Sequence, residues 1–326
     1  MLYPLKFQPI LKDKIWGGNK LKNIFKKSGS TDKTGESWEL SGYMGDESVV
    51  TNGFLAENNL QELIEIYMGE LVGDSVYEQY GLSFPLLFKL IDANENLSIQ
   101  VHPGDEVAAE RHDSFGKTEM WYVVDADPGS QLIIGFSENC SRDEYLDALE
   151  NDSVEDLLQK VTVKKGDVLF IPAGLVHAIG KGVVVAEIQQ SSDITYRIYD
   201  YKRTDDNGNE RELHTDEALD VINFEASTHP KTDYEKQLNE IVPLVKCDYF
   251  TTNLLSFNNP VNRNYGTIDS FKAYMCLDGH YTVNYNGEKI LVNKGETLLI
   301  PACIDEISFI PVGEVTLLEV FAGNIE

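Results

Sequence analysis

The chain has 326 residues, with 27 Lys and Arg against 54 Asp and Glu, for a formal net charge of −27. At roughly 150 residues per domain that length suits two domains, and 42% apolar with 10% aromatic residues excludes a disordered chain. A surface this acidic repels phosphodiester backbones and anionic lipid, so neither nucleic acid nor a membrane is expected as a partner.

The first residues, MLYPLKFQPILKDKIW, lack the continuous apolar stretch and small-residue cleavage site of a secretory leader. No apolar run approaches the ~18 residues of a membrane span, and a cytoplasmic location is expected. Trp16-Gly17-Gly18 and Gly35-Glu36-Ser37-Trp38 read as packed turns, each setting an indole beside a glycine. NLQELIEIYMGELVGDSVYEQY (59–80) carries Leu60, Leu63, Ile64 and Met68 at helical spacing. Short apolar runs follow: PLLFKLID (85–92), LSIQVHP (97–103), EMWYVVDA (119–126) and SQLIIGF (130–136). A second helical stretch is expected over CSRDEYLDALENDSVEDLLQKV (140–161), with Ser141 or Asp143 placed to cap it and Val154, Leu157 and Leu158 on its apolar side. DVLFIP (167–172) and VVVAEIQQ (183–190) complete the set of strands. The strands lie too close together for βαβ crossovers, which favours antiparallel pairing.

VKKGDVLFIPAGLVHAIG (163–180) recurs as VNKGETLLIPACIDEISF (292–309), an offset of 129 residues that sets Gly166 over Gly295 and Ile171-Pro172 over Ile300-Pro301. Such self-similarity implies two copies of one β module. The polar segment 227–246 reads as a linker, with a boundary near residue 235 and hence domains 1–235 and 236–326. Cys140, Cys247, Cys276 and Cys303 form no C-x-x-C pair and read as reduced thiols.

Of six histidines, His102 follows Gln100 at i and i+2, so both point to one strand face. Glu119 opens a strand beyond a loop, and His177 follows the end of another. Two imidazoles, one carboxylate and an amide oxygen make a ligand set for a divalent metal, against the common alternative of hydrogen-bonded core histidines. In the second repeat Glu306 stands at the place of His177, which makes the first module the active one. His112, His214, His229 and His280 sit in polar or turn-like contexts and are not assigned to a site.

Taken in order, KIWGGNKL, GESWELS, LSIQVHPGDE, GKTEMWYV, IPAGLVHAIG and QQSSDITYRIYDY resemble the type I phosphomannose isomerases over residues 14–201. The resemblance implies a mainly β fold of two cupin (jelly-roll) modules with a few inserted helices, the second module degenerate. It implies one zinc ion per chain on His102, Glu119 and His177, with Gln100 as a fourth ligand in many members. Arg197 falls on the family's catalytic arginine and Lys117 on its site lysine. The short 140–161 insertion places the chain with the compact bacterial-type members.

The reaction so implied interconverts mannose 6-phosphate and fructose 6-phosphate through an enediol, in a monomer or small homo-oligomer whose partner is a small-molecule sugar phosphate. A metal held by two neutral imidazoles and one carboxylate keeps positive charge to stabilise the developing oxyanion. The general base stays open among metal-bound hydroxide, Lys117, Asp200 and Glu187. Lys202 and Arg203 read either as phosphate contacts or as a solvated pair. Two other classes remain: an Fe(II) oxygenase with the same ligand set, and a cupin that binds a sugar phosphate without turnover.

Overall fold

The computed structural model describes residues 1–204 and 208–323. Its organising feature is the alternation along Leu86–Ala93, Glu119–Ala126 and Val183–Gln190. Met120, Tyr122 and Val124 join one cluster with Leu86, Phe88, Leu90, Ala186 and Ile188. Trp121 and Val123 turn the other way, to Ile91, Val183 and Val185. Both faces of this sheet are buried, which is why its strands read as almost unbroken apolar runs.

The sheet has six strands, in the order Ile10–Gly18, Thr34–Ser41, Leu86–Ala93, Val183–Gln190, Glu119–Ala126 and Val168–Ile171. It packs on five more, ordered Tyr196–Tyr199, Ile99–Val101, His177–Ile179, Gln131–Phe136 and Leu158–Thr162. The C-terminal module repeats the plan. Its six-stranded sheet includes Thr297–Ile300, Lys272–Asp278 and Val315–Ala322, and it shares a core with a four-stranded sheet from Val261–Asn264 to Glu288–Asn293. The mainly β, two-module jelly-roll architecture is as expected.

The two six-stranded sheets pack back to back. Leu254, Ala273, Met275, Leu299 and Leu318 of one lie in the same cluster as Phe88, Leu90 and Met120 of the other. The N-terminal strand Leu5–Lys6 crosses over and pairs with the second module, Leu5 opposite Leu299. Phe84 and Phe271, both fully buried, meet at this junction with ring centroids 4.5 Å apart. Phe271→Ala is expected to cost about 3–5 kcal/mol, because it removes a buried ring and leaves a cavity that rigid sheets cannot close. A urea unfolding midpoint unchanged from wild type would show that the junction contributes little.

Three expected elements differ. The 59–80 stretch is three helices, Leu60–Tyr67, Gly69–Val72 and Asp74–Tyr80. Met68 at φ 44° and Gly73 at φ 102° break it, since neither backbone conformation continues a right-handed helix. Over 140–161 the helices stop at Leu157, and Leu158–Thr162 is an edge strand paired with Gln131–Phe136. The helical spacing of Leu158 gives way to the two-residue alternation that this pairing imposes. Ser141 does cap, its side chain and that of Glu144 forming a reciprocal pair. Within the expected linker, Glu240–Lys246 is an edge strand, where Pro243 is tolerated beside a break in register. Among the described residues no helix is long and apolar enough to cross a membrane.

Candidate metal centre and substrate cavity

Glu119 begins its strand directly opposite Ile171, and His177 begins its own strand opposite Gln100. His102 follows Val101 at the end of the Ile99–Val101 strand. The two sheets thus bring His102, Glu119 and His177 together, with one ligand atom from each lying within 4.8 Å of the others. All three are at most 1% exposed.

The hydrogen bonds show what the cluster can hold. His102 Nδ1 lies 2.8 Å from Ile194 O and His177 Nδ1 lies 2.8 Å from Leu175 O. Carbonyl oxygens only accept, so both rings carry their proton on Nδ1 and present bare Nε2 atoms. Those two lone pairs face each other at 3.1 Å. Both oxygens of buried Glu119 lack a hydrogen-bond partner. They lie 3.5 Å from His177 Nε2 and 3.7 Å from His102 Nε2. Burial, followed by the charge of Lys117, pushes His102 well below the usual histidine range. Burial likewise lowers His177 to about 4. Two neutral imidazoles and a carboxylate without a hydrogen-bond partner converge here beside the Lys117 ammonium, and the donor set fits a divalent metal.

Lys117 reaches the edge of this cluster. Its Nζ donates to His102 Nε2 at 3.1 Å and lies 3.4 Å from Glu119. From there a cavity of about 260 Å³ opens between the sheets, bounded by Gln100, Lys117, Arg197 and Arg211 on one side. Gln100 stands between His177 and Arg197 in the sheet register, so its place beside the cluster comes from pairing as well as from its i, i+2 relation to His102.

The opposite wall carries a ladder of charges of which only Glu187 was a candidate from the sequence. Lys14 is 3.0 Å from Glu36, and Lys89 is 3.4 Å from Glu187 and 3.9 Å from Asp193. Burial opposes the charge of Glu36, but Lys89 and Lys14 outweigh it and bring its pKa down to about 2. Burial also opposes the ammonium of Lys89, which Glu187 and Glu36 hold above the usual lysine range. For Glu187 burial prevails, reinforced by Glu119, and raises its pKa. Trp121 Nε1 donates to Glu187 Oε2 at 2.8 Å, while Oε1 has no hydrogen-bond partner. Trp16, read as structural, also lines the cavity. The segments 16–18 and 35–38 are not turns but parts of the strands Ile10–Gly18 and Thr34–Ser41; their close packing does hold, since a Cβ on Gly35 would fall 2.6 Å from the Trp16 ring.

Asp200 does not face this cavity. It accepts from Arg203 and Arg211, and although burial works the other way, these two guanidiniums hold its carboxyl below the usual range. An acid so held is a poor proton acceptor. Lys202 pairs with Asp152 at 2.5 Å on the exposed surface. Arg197, half-buried, donates from Nη1 to Glu212 O at 2.7 Å, while its Nε is buried without a partner.

The second module shows how the cluster was lost. Lys272 pairs with Ile300 as Glu119 pairs with Ile171, so a lysine occupies the carboxylate's place. Glu306, aligned with His177 in the repeat, is exposed, and Ile307 is the buried residue instead. Glu306 is thus exposed where His177 is fully buried, so it joins no buried cluster. The next inward pair survives in altered form, with Tyr274 donating to Glu319 at 2.6 Å where Trp121 donates to Glu187.

A family model described as the type I phosphomannose isomerase catalytic domain matches residues 4–129. The chain is 36% identical over 310 residues to a mannose-6-phosphate isomerase of Streptococcus mutans, covering 95% of this chain and 96% of the relative. It is 34% identical over 314 residues to a probable mannose-6-phosphate isomerase of Bacillus subtilis, covering 94% and 96%. A crystal structure of mannose 6-phosphate isomerase from Bacillus subtilis superposes with a TM-score of 0.86 at 32% identity, covering 98% of this chain and 99% of that one.

Proposed function

The chain belongs to the type I phosphomannose isomerase family, and from that premise we propose that it interconverts mannose 6-phosphate and fructose 6-phosphate in the cytoplasm, using one zinc ion per chain. The observation that carries the metal assignment is the buried Glu119 carboxylate, with neither oxygen hydrogen-bonded, facing the unprotonated Nε2 atoms of two imidazoles. His102, Glu119 and His177 hold the ion, and Gln100 adds its amide oxygen. When bound, zinc supplies a Lewis acid that stabilises negative charge developing on the sugar oxygens.

The chain's own groups do the rest. Glu187 is the carboxylate that takes the C2 proton and returns it at C1 through an enediol, since it lines the cavity with Oε1 free of hydrogen bonds and met by the Lys89 ammonium at 3.4 Å, while Asp200 is locked away from it. Trp121 fixes Glu187 through the other oxygen, and Lys89 steadies the charge. Lys117 donates to the sugar oxygen nearest the cluster, and Arg197 holds anionic oxygen with its forked donors. A shared ligand set would also serve an oxygenase, but family membership and the cationic cavity favour the isomerase.

Conversion of mannose 6-phosphate to fructose 6-phosphate, followed alongside zinc content, tests this reading. Activity is expected to disappear as zinc is chelated and to return when zinc is restored. Full turnover from protein shown to be metal-free would sink the zinc assignment, and no turnover in any state would sink the isomerase.

A further inference from the structure

Beyond Tyr196–Tyr199 the chain doubles back on itself. Arg197 N donates to His214 Nδ1 at 3.1 Å, and His214 N donates to Arg197 O at 2.8 Å. With the bond from Arg197 Nη1 to Glu212 O, these contacts seat Arg211 beside Arg197, and both side chains line the cavity that reaches Lys117. Asp200, 5% exposed, accepts from Arg211 Nε at 2.7 Å and from Nη2 at 2.5 Å. This two-pronged grip fixes the plane of the Arg211 guanidinium and leaves Nη1 without a partner among the described residues.

The neighbouring cations are turned elsewhere. Arg203 spends its donors on Asp200 and on Asn96 O, and Lys202 lies on Asp152. The cavity acids Glu36, Glu187 and Asp193 lie against Lys14 and Lys89. Around Asp200 one carboxylate faces Arg203 and Arg211, and Arg197 stands alongside with the Glu212 carboxylate near it, so three positive charges meet two negative ones. The positive surplus suits a phosphate monoester, which is anionic at neutral pH.

We infer that Arg211, held flat by Asp200, forms with Arg197 a phosphate clamp in the cavity that Lys117 also lines, and that Asp200 is a positioning residue; this rests on the sugar-phosphate reading above. Forked, planar donors match tetrahedral phosphate oxygens better than a lysine ammonium does. The clamp leaves the sugar to extend toward Lys117 and the cluster.

Calorimetric titration of the zinc-loaded protein with inorganic phosphate tests the clamp directly. Arg211→Ala is expected to weaken phosphate binding about tenfold or more, Arg211→Lys to recover only part of it, and Lys202→Ala to bind as wild type does. In the isomerase assay Arg211→Ala and Asp200→Asn should each raise KM for mannose 6-phosphate by a larger factor than they lower kcat. Phosphate binding by folded Arg211→Ala within twofold of wild type, or no phosphate binding by wild type, overturns the clamp. A fall in kcat for Asp200→Asn with KM unmoved would make Asp200 a base instead. Wild type that binds phosphate through Arg211 yet isomerises nothing would leave the clamp standing and remove the isomerase reading.

Discussion

His177→Ala is expected to lose bound zinc and isomerase activity together, with turnover falling by about a thousandfold or more, equivalent to at least ~4 kcal/mol of transition-state stabilisation. The ring contributes one of two bare nitrogens in the cluster, and its orientation is set by the bond from Nδ1 to Leu175 O. Alanine removes the donor and leaves a gap beside Glu119, from which His177 Nε2 had stood 3.5 Å away. Zinc content by elemental analysis is the primary readout, with far-UV circular dichroism to show that the sheets persist. His102→Ala should behave alike, although Lys117 then loses its acceptor as well. A folded His177→Ala protein that retains stoichiometric zinc would end the ligand assignment.

Arg197→Ala is expected to keep its zinc and to lose kcat/KM by about a hundredfold or more, the scale of removing a charge-assisted contact from a desolvated site. Among the described residues the Arg197 side chain makes no hydrogen bond to His102, Glu119 or His177; its Nη1 donates to Glu212 O and its backbone N to His214 Nδ1. Its burial and the nearby Arg211 charge lower its pKa, yet a guanidinium remains cationic at any physiological pH. Arg197→Lys should restore little, because an ammonium cannot reproduce the fork. Zinc lost together with activity would assign Arg197 a structural role in tying down residues 212–214. Arg197→Ala with undiminished kcat/KM would remove it from the site altogether.

Much of this molecule was readable along the chain because its signals are local. Short apolar runs cut by turn residues marked Leu86–Ala93, Glu119–Ala126 and Val183–Gln190, and the 129-residue repeat announced the second module. His102, Glu119 and His177 were recognisable because such residues are rare on apolar strands and because the words around them resemble a known family. The wall facing them was not recognisable in that way. Lys14, Glu36, Lys89 and Arg211 are single charged residues that, in one dimension, look like ordinary solvated positions. Lys89 alternates with buried leucines on a strand covered on both faces, and it becomes a buried cation only because Glu36 and Glu187 arrive from neighbouring strands.

The same distinction explains the corrected details. Leu158 has the spacing of a helix, but an open edge on Gln131–Phe136 offers hydrogen bonds that a further turn of helix does not. Glu306 has the repeat position of His177, but it is exposed where the imidazole is buried. The sequence carries periodicity, turn chemistry and residue type, all set by neighbours a few positions away. Partner strand, register and burial depend on residues 30 to 130 positions distant, and these long-range pairings settle which charges line the cavity and which merely face water.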